Sequence, residues 1–168
     1  MKQSRRLAFC GMTTALAIVV QVLGGWLGLG TYICPMLAGL LLLPIGREWG
    51  GRWQLAVWLA VGLLDLVLVS DLEESLMFLC FFGWYPVLYA RLNKLPKLWR
   101  WPVKLGLFNA VIIPLEALLM LVIAPESIQP VLVAVLLVLG NLVFICYDQL
   151  LPRMTELYER RLRPILKK

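Results

Sequence analysis

The chain contains no histidine. That absence removes imidazole metal sites, the usual haem ligation and histidine acid–base chemistry. Its four cysteines, Cys10, Cys34, Cys80 and Cys146, stand singly among apolar residues with no CxxC spacing. Neither a zinc centre nor a disulfide framework follows from them, and they read as small buried hydrophobes. No GxxxxGK[ST] loop is present, so the chain has no phosphate-cradling motif with which to hydrolyse ATP. Charge is scarce as well: 15% of the 168 residues are Asp, Glu, Lys or Arg, against about 25% in an average soluble domain. With 61% hydrophobic residues and a mean hydropathy of +0.85, the chain has too little polar surface to cover itself in water. It reads as an all-α membrane protein, with no room for a soluble catalytic or nucleic-acid-binding domain, no enzyme activity and no cofactor.

Cutting the sequence at its charges and Gly/Pro clusters leaves six apolar segments, near 5–23, 32–46, 53–70, 74–92, 102–124 and 128–151. A backbone crossing lipid must satisfy its own hydrogen bonds and no period-2 pattern appears, so all six are expected as helices. The first, behind Lys2, Arg5 and Arg6, has too long an apolar core for a secretory signal and is expected as a retained helix. Counting alternate sides, all 16 Lys and Arg fall on one side, while Asp71, Glu73, Glu74 and Glu126 fall on the other. The positive-inside rule then puts both termini in the cytoplasm of a multi-pass cell-membrane protein. Trp26, Tyr32, Trp99 and Trp101 lie at the expected boundaries as an aromatic belt would. The second segment spans only about 22 Å of a hydrocarbon core of about 30 Å and carries Pro35 and Pro44, so it is expected inside the bundle. Before it, Gly24 to Gly30 holds four glycines and is expected as a long external loop, either a plain connection or a gate. Residues 1–152 are expected to form the bundle, and the basic stretch 153–168 a short amphipathic helix on the inner leaflet.

Ionisable and amide side chains inside the spans are few: Gln21, Asp65, Asn109, Glu116, Asn141 and Asp148. Each demands an explanation, because a charge at bilayer centre costs about 2.5–3.5 kcal/mol even on the lenient insertion scale. Measured from the nearest basic residue at 1.5 Å per residue, Gln21, Asp65, Glu116 and Asn141 all lie at a depth of about 18–22 Å. A shared level suits a small-molecule pocket with polar groups among apolar walls, Glu116 first and Asn141 second among its contacts. The same groups also suit helix-to-helix bonding. Asn109 and Asp148 sit lower, toward backbone or basic partners. Trp84 belongs to an aromatic run, Phe81 to Tyr89, broken by Gly83 and Pro86; Pro86 frees the carbonyl of Phe82 and predicts a kink that either shapes a pocket wall or packs as core. On the first helix Ala8, Gly11 and Ala15 form one small-residue stripe, for internal packing or for docking another helix.

Three strings carry a resemblance to a known family: Arg5-Arg6-Leu7-Ala8 with Thr14-Ala15-Leu16-Ala17, Pro35-Met36-Leu37-Ala38-Gly39-Leu40-Leu41-Leu42-Leu43-Pro44-Ile45, and Phe82-Gly83-Trp84-Tyr85-Pro86-Val87-Leu88. With the expected topology, they make the chain similar to the substrate-binding S component of energy-coupling factor (ECF) transporters, in particular the small unassigned S-component-like proteins of Gram-positive bacteria. The resemblance implies a six-transmembrane-helix bundle, an outward pocket for a vitamin-like micronutrient, and a loop between the first two helices that closes over it. It also implies a small-residue surface on the first helix, here Ala8, Gly11 and Ala15 with Gly in place of the first Ala, that docks on a membrane-embedded T component coupled to two cytoplasmic ATPase subunits. Binding without chemistry is the mechanism implied. The alternative expectation is a scaffold similar to the small six-helix membrane subunit of the bacterial rod-shape complex, since fold alone does not separate the two.

Overall fold

A computed structural model describes residues 2–27, 31–123 and 130–166. Glu126 and the Gly28–Gly30 part of the expected loop lie outside the described residues. Nine helices follow in order among those described: α1 (Lys2–Leu27), α2 (Ile33–Leu41), α3 (Leu43–Trp49), α4 (Gly51–Leu68), α5 (Leu72–Met77), α6 (Tyr85–Leu92), α7 (Lys97–Ile123), α8 (Pro130–Leu157) and α9 (Arg163–Leu166). A π-helical turn, Phe78–Phe82, joins α5 to the Gly83–Trp84 corner, and a second one, Tyr158–Leu162, joins α8 to α9. Five segments are long and apolar enough to cross a membrane: Gln3–Trp26, Gly51–Leu68, Leu72–Leu92, Lys97–Leu121 and Ala134–Arg161. Large apolar side chains such as Met12, Leu16 and Leu23 on α1, Val67 on α4 and Val138 on α8 stand outward. An apolar exterior on helices of this length is what lipid contact requires, and the chain is a membrane protein.

The second apolar segment does not form a sixth spanning helix. It breaks at Leu42 into α2 and α3, because Pro44 sits in the first turn of α3 and supplies no N–H to continue α2. Nine residues of α2 cover about 14 Å, and the helix lies inside the bundle with Met36, Ala38, Gly39 and Leu40 buried, as its length demanded. The helix is interrupted just before Pro86: a π turn ends at Phe82, where the Gly83 N–H reaches back to the Phe78 carbonyl (2.9 Å), and Pro86 opens the first turn of α6. The carbonyl of Phe82, which the proline leaves free, accepts from Tyr147 Oη at 2.7 Å. Around it packs the main core of Phe81, Phe82, Tyr85, Phe108, Phe144 and Tyr147, with Phe108 stacked on Phe144 at 4.7 Å between centroids.

Contacts gather the basic residues at one pole. The Arg6 guanidinium lies 3.8 Å over the Trp53 ring and Phe9 meets Trp49 edge to face. Arg163 pairs with Glu48 at 2.8 Å, and Arg47 with Glu159 at 3.9 Å. Both ends of the chain therefore meet the α3–α4 corner. The stretch expected as a separate tail continues α8 past Pro152 without a break, and Thr155 and Tyr158 are buried against the bundle. At the opposite pole α1 runs to Leu27, so Gly24 and Gly25, expected in a loop, are helical. They are needed for space: a Cβ on Gly24 would collide with Cys34 Sγ and lie 2.9 Å from Glu74 Oε1.

Candidate binding pocket

Pro114 on α7 precedes Glu116 by two residues and removes one N–H from the helix beside an apolar cavity. This cavity, about 320 Å³, opens between α7 and α8, with walls of Phe108, Ile112, Met120, Leu136 and Leu137. Glu116 is its one ionisable side chain besides Tyr32, whose hydroxyl donates to Glu116 Oε1 at 2.5 Å. Tyr32 reaches it from the N-terminal edge of α2, across Gly140, where a Cβ would stand only 3.6 Å from the tyrosine and Phe108 rings. Glu116 is 7% exposed. The phenol holds one carboxylate oxygen, and with Glu116 and Tyr32 as its only ionisable lining the pocket suits a small, largely apolar molecule with one N–H, O–H or cationic group.

The four polar groups expected at one cavity do not converge. Gln21 Nε2 donates to Asp65 Oδ2, joining α1 to α4, and both side chains are fully buried. Asn141 and Asn109 exchange bonds of 2.8 and 3.0 Å between α8 and α7, each also donating to the carbonyl one turn before it. Asn141 thereby touches the back of the pocket wall at Leu137 without lining the pocket. Equal depth along a helix does not set azimuth, and these side chains point in three directions. Trp84 donates to the Cys80 carbonyl at 2.7 Å and packs edge to face on Phe81, so it belongs to the aromatic core. Asp148 finds the basic partner expected for it, Lys104, at 2.7 Å.

Ala8, Gly11 and Ala15 all lie on the outer face of α1, and a Cβ added at Gly11 would meet nothing within 4 Å. Internal packing therefore does not account for the stripe. Tyr32, read from sequence as an interfacial aromatic, is the pocket residue that sequence reasoning missed; its signal was that Glu116 needs a donor on a neighbouring helix and few exist on that side of the chain. Comparison with known proteins brings no match from a protein-family model, a curated protein or a solved structure.

Proposed function

We propose that this protein is the substrate-capture subunit of an ECF-type importer, a six-segment bundle with both termini cytoplasmic, taking up a small vitamin-like molecule. The observation that carries the reading is the buried Glu116, paired with the half-buried Tyr32, in an otherwise apolar 320 Å³ pocket. A carboxylate in such surroundings is costly and serves no packing purpose. The positive-inside pattern gives the orientation, with the basic pole inward. The outward-facing Ala8-Gly11-Ala15 stripe supports a T component as partner, itself coupled to two ATPase subunits that supply the energy this chain has no motif to harvest.

The test is native mass spectrometry of the purified protein. The wild-type chain is expected to carry a small molecule, and Glu116→Gln to weaken its retention by roughly 10- to 100-fold, the value of one hydrogen bond to a charged group. Equal retention by both removes Glu116 from the site. Gly11→Trp is expected to leave the unfolding midpoint within the small range typical of surface changes, since the space is open. The same variant should no longer co-purify with a T component; retained co-purification would move the docking surface elsewhere.

A membrane scaffold is the second reading, favoured by one observation. The Gln21–Asp65 and Asn109–Asn141 pairs bond helix to helix, so these polar groups hold the bundle together and do not meet in one pocket. A wild-type chain that carries no small molecule and captures a protein complex instead would favour it.

A further inference from the structure

Four buried oxygens at the pole remote from the basic residues have no hydrogen-bond partner among the described residues: Gln21 Oε1, Asp65 Oδ1 and both carboxylate oxygens of Glu74. All three side chains are fully buried. They form one cluster where α1, α4 and α5 meet. Gln21 donates its amide to Asp65, and Ser75, the neighbour of Glu74, donates its hydroxyl to the Asp65 carbonyl at 3.2 Å. The Glu74 carboxylate lies over the next turn of α1, where Cβ atoms on Gly24 and Gly25 would stand 2.9 Å from Oε1 and 3.6 Å from Oε2. Gln21, Gly24 and Gly25 are spaced i, i+3 and i+4 and so share one helix face.

Every free atom in this cluster is an acceptor, and an ionised carboxylate has nothing to donate. Two buried acids with unmet oxygens call for positive charge. The chain cannot supply it. Asp65 lies 13 residues of α4 above Arg52, about 20 Å, and Glu74 is 17 residues from Arg91. Two further ionisable groups stand beside Glu74 and neither is cationic: the Cys34 thiol, which meets the same face of Gly24, and Asp71, whose Oδ1 caps α5 through the Glu73 and Glu74 N–H groups at 3.0 and 3.3 Å and whose Oδ2 accepts from Thr31.

We propose that Gln21, Asp65 and Glu74 form a binding site for a divalent cation, calcium, on the face of the protein opposite its basic pole. Two carboxylates match its two charges. The donor set, one bidentate-capable Glu, one Asp oxygen and one Gln amide oxygen, is all oxygen, as calcium takes, with water and backbone carbonyls completing six to eight ligands in flexible geometry. Only two acids meet here, so the Gln21 amide oxygen would be the third side-chain ligand. Magnesium, which demands an octahedron and gives up water reluctantly, fits such a wide mixed set less well. The site is independent of the Glu116 pocket and of the transport reading. Gly24 leaves room for the Glu74 carboxylate together with the Cys34 side chain.

The experiment is thermal unfolding of the full-length protein in detergent at fixed ionic strength, in EGTA and with added calcium, magnesium or sodium. Calcium at millimolar levels is expected to raise the midpoint by several degrees, reversibly on chelation, with isothermal titration giving one ion per chain and a weaker response to magnesium. Glu74→Gln and Asp65→Asn should abolish the calcium response. In EGTA each variant should be at least as stable as the wild type, since each removes an uncompensated buried charge, and that result shows the variant folded. No calcium response in the wild type overturns the proposal. So does an undiminished response in both variants, or an equal stabilisation by sodium alone.

Discussion

Lys104→Met is expected to destabilise the protein by about 3–5 kcal/mol, the usual consequence of removing one member of a buried ion pair. Lys104 is 1% exposed and Asp148 5%. All three ammonium donors are used: 2.8 and 2.7 Å to the two oxygens of Asp148, and 2.8 Å to Asn93 Oδ1. Tyr85 also donates to Asp148 at 2.5 Å, and the Tyr89 ring lies 4.6 Å from the ammonium. The pair thus fastens α7 to α8 and to both ends of α6. Without the lysine, Asp148 keeps only a phenol as partner for a buried negative charge. The double variant Lys104→Met/Asp148→Leu removes both charges and should recover most of the loss, because the pair's own attraction roughly balances its desolvation. Equilibrium unfolding in mild detergent of the wild type, both single variants and the double variant measures this directly. A single-variant loss below about 1 kcal/mol would mean that water reaches Asp148 and that the clamp is not closed.

Lys104 also marks where the sequence stopped being informative. Taken as a surface anchor, it served as the origin from which the depth of Glu116 was measured, yet it is buried itself. Hydropathy and the placement of charge made the helices, the shared pole of the basic residues and the short interior second segment legible, because bulk partitioning into lipid depends on composition alone. Distance along a helix was legible too, as rise per residue is fixed. Azimuth was not: which helix faces which depends on side-chain shape at crossings, and so Gln21, Glu116 and Asn141 separated into three pairs. Glycine carried two meanings that sequence could not part. At Gly24 it makes room beside Cys34 and Glu74, not a loop, whereas at Gly50, φ +91°, it does turn the chain, from α3 into α4. Pro86 was read correctly as freeing a carbonyl, but the partner that satisfies it, Tyr147, lies 65 residues away.

That carbonyl sets the second large effect, expected from Gly39→Ala. A methyl group on Gly39 would collide with the Phe82 carbonyl oxygen and stand 2.5 Å from Tyr147 Oη. Neither neighbour yields easily, since one is backbone held in a π turn and the other is a fully buried ring. Space can be made only by parting α2 from the turn, which breaks the 2.7 Å bond from Tyr147 to Phe82. Overpacking of about 1–3 kcal/mol and an unmet carbonyl of about 1–3 kcal/mol together give roughly 2–6 kcal/mol. Tyr147→Phe isolates the second part: packing stays, the hydroxyl goes, and Pro86 has no N–H with which to replace it, so about 1–3 kcal/mol is expected. The two changes share one bond and cannot add. In the Tyr147→Phe background, Gly39→Ala should cost less than it does alone, by about the value of that bond. Strict additivity in detergent unfolding would show that the methyl group is accommodated without disturbing the carbonyl, and the close approach of α2 to the π turn would then not be what requires glycine at position 39.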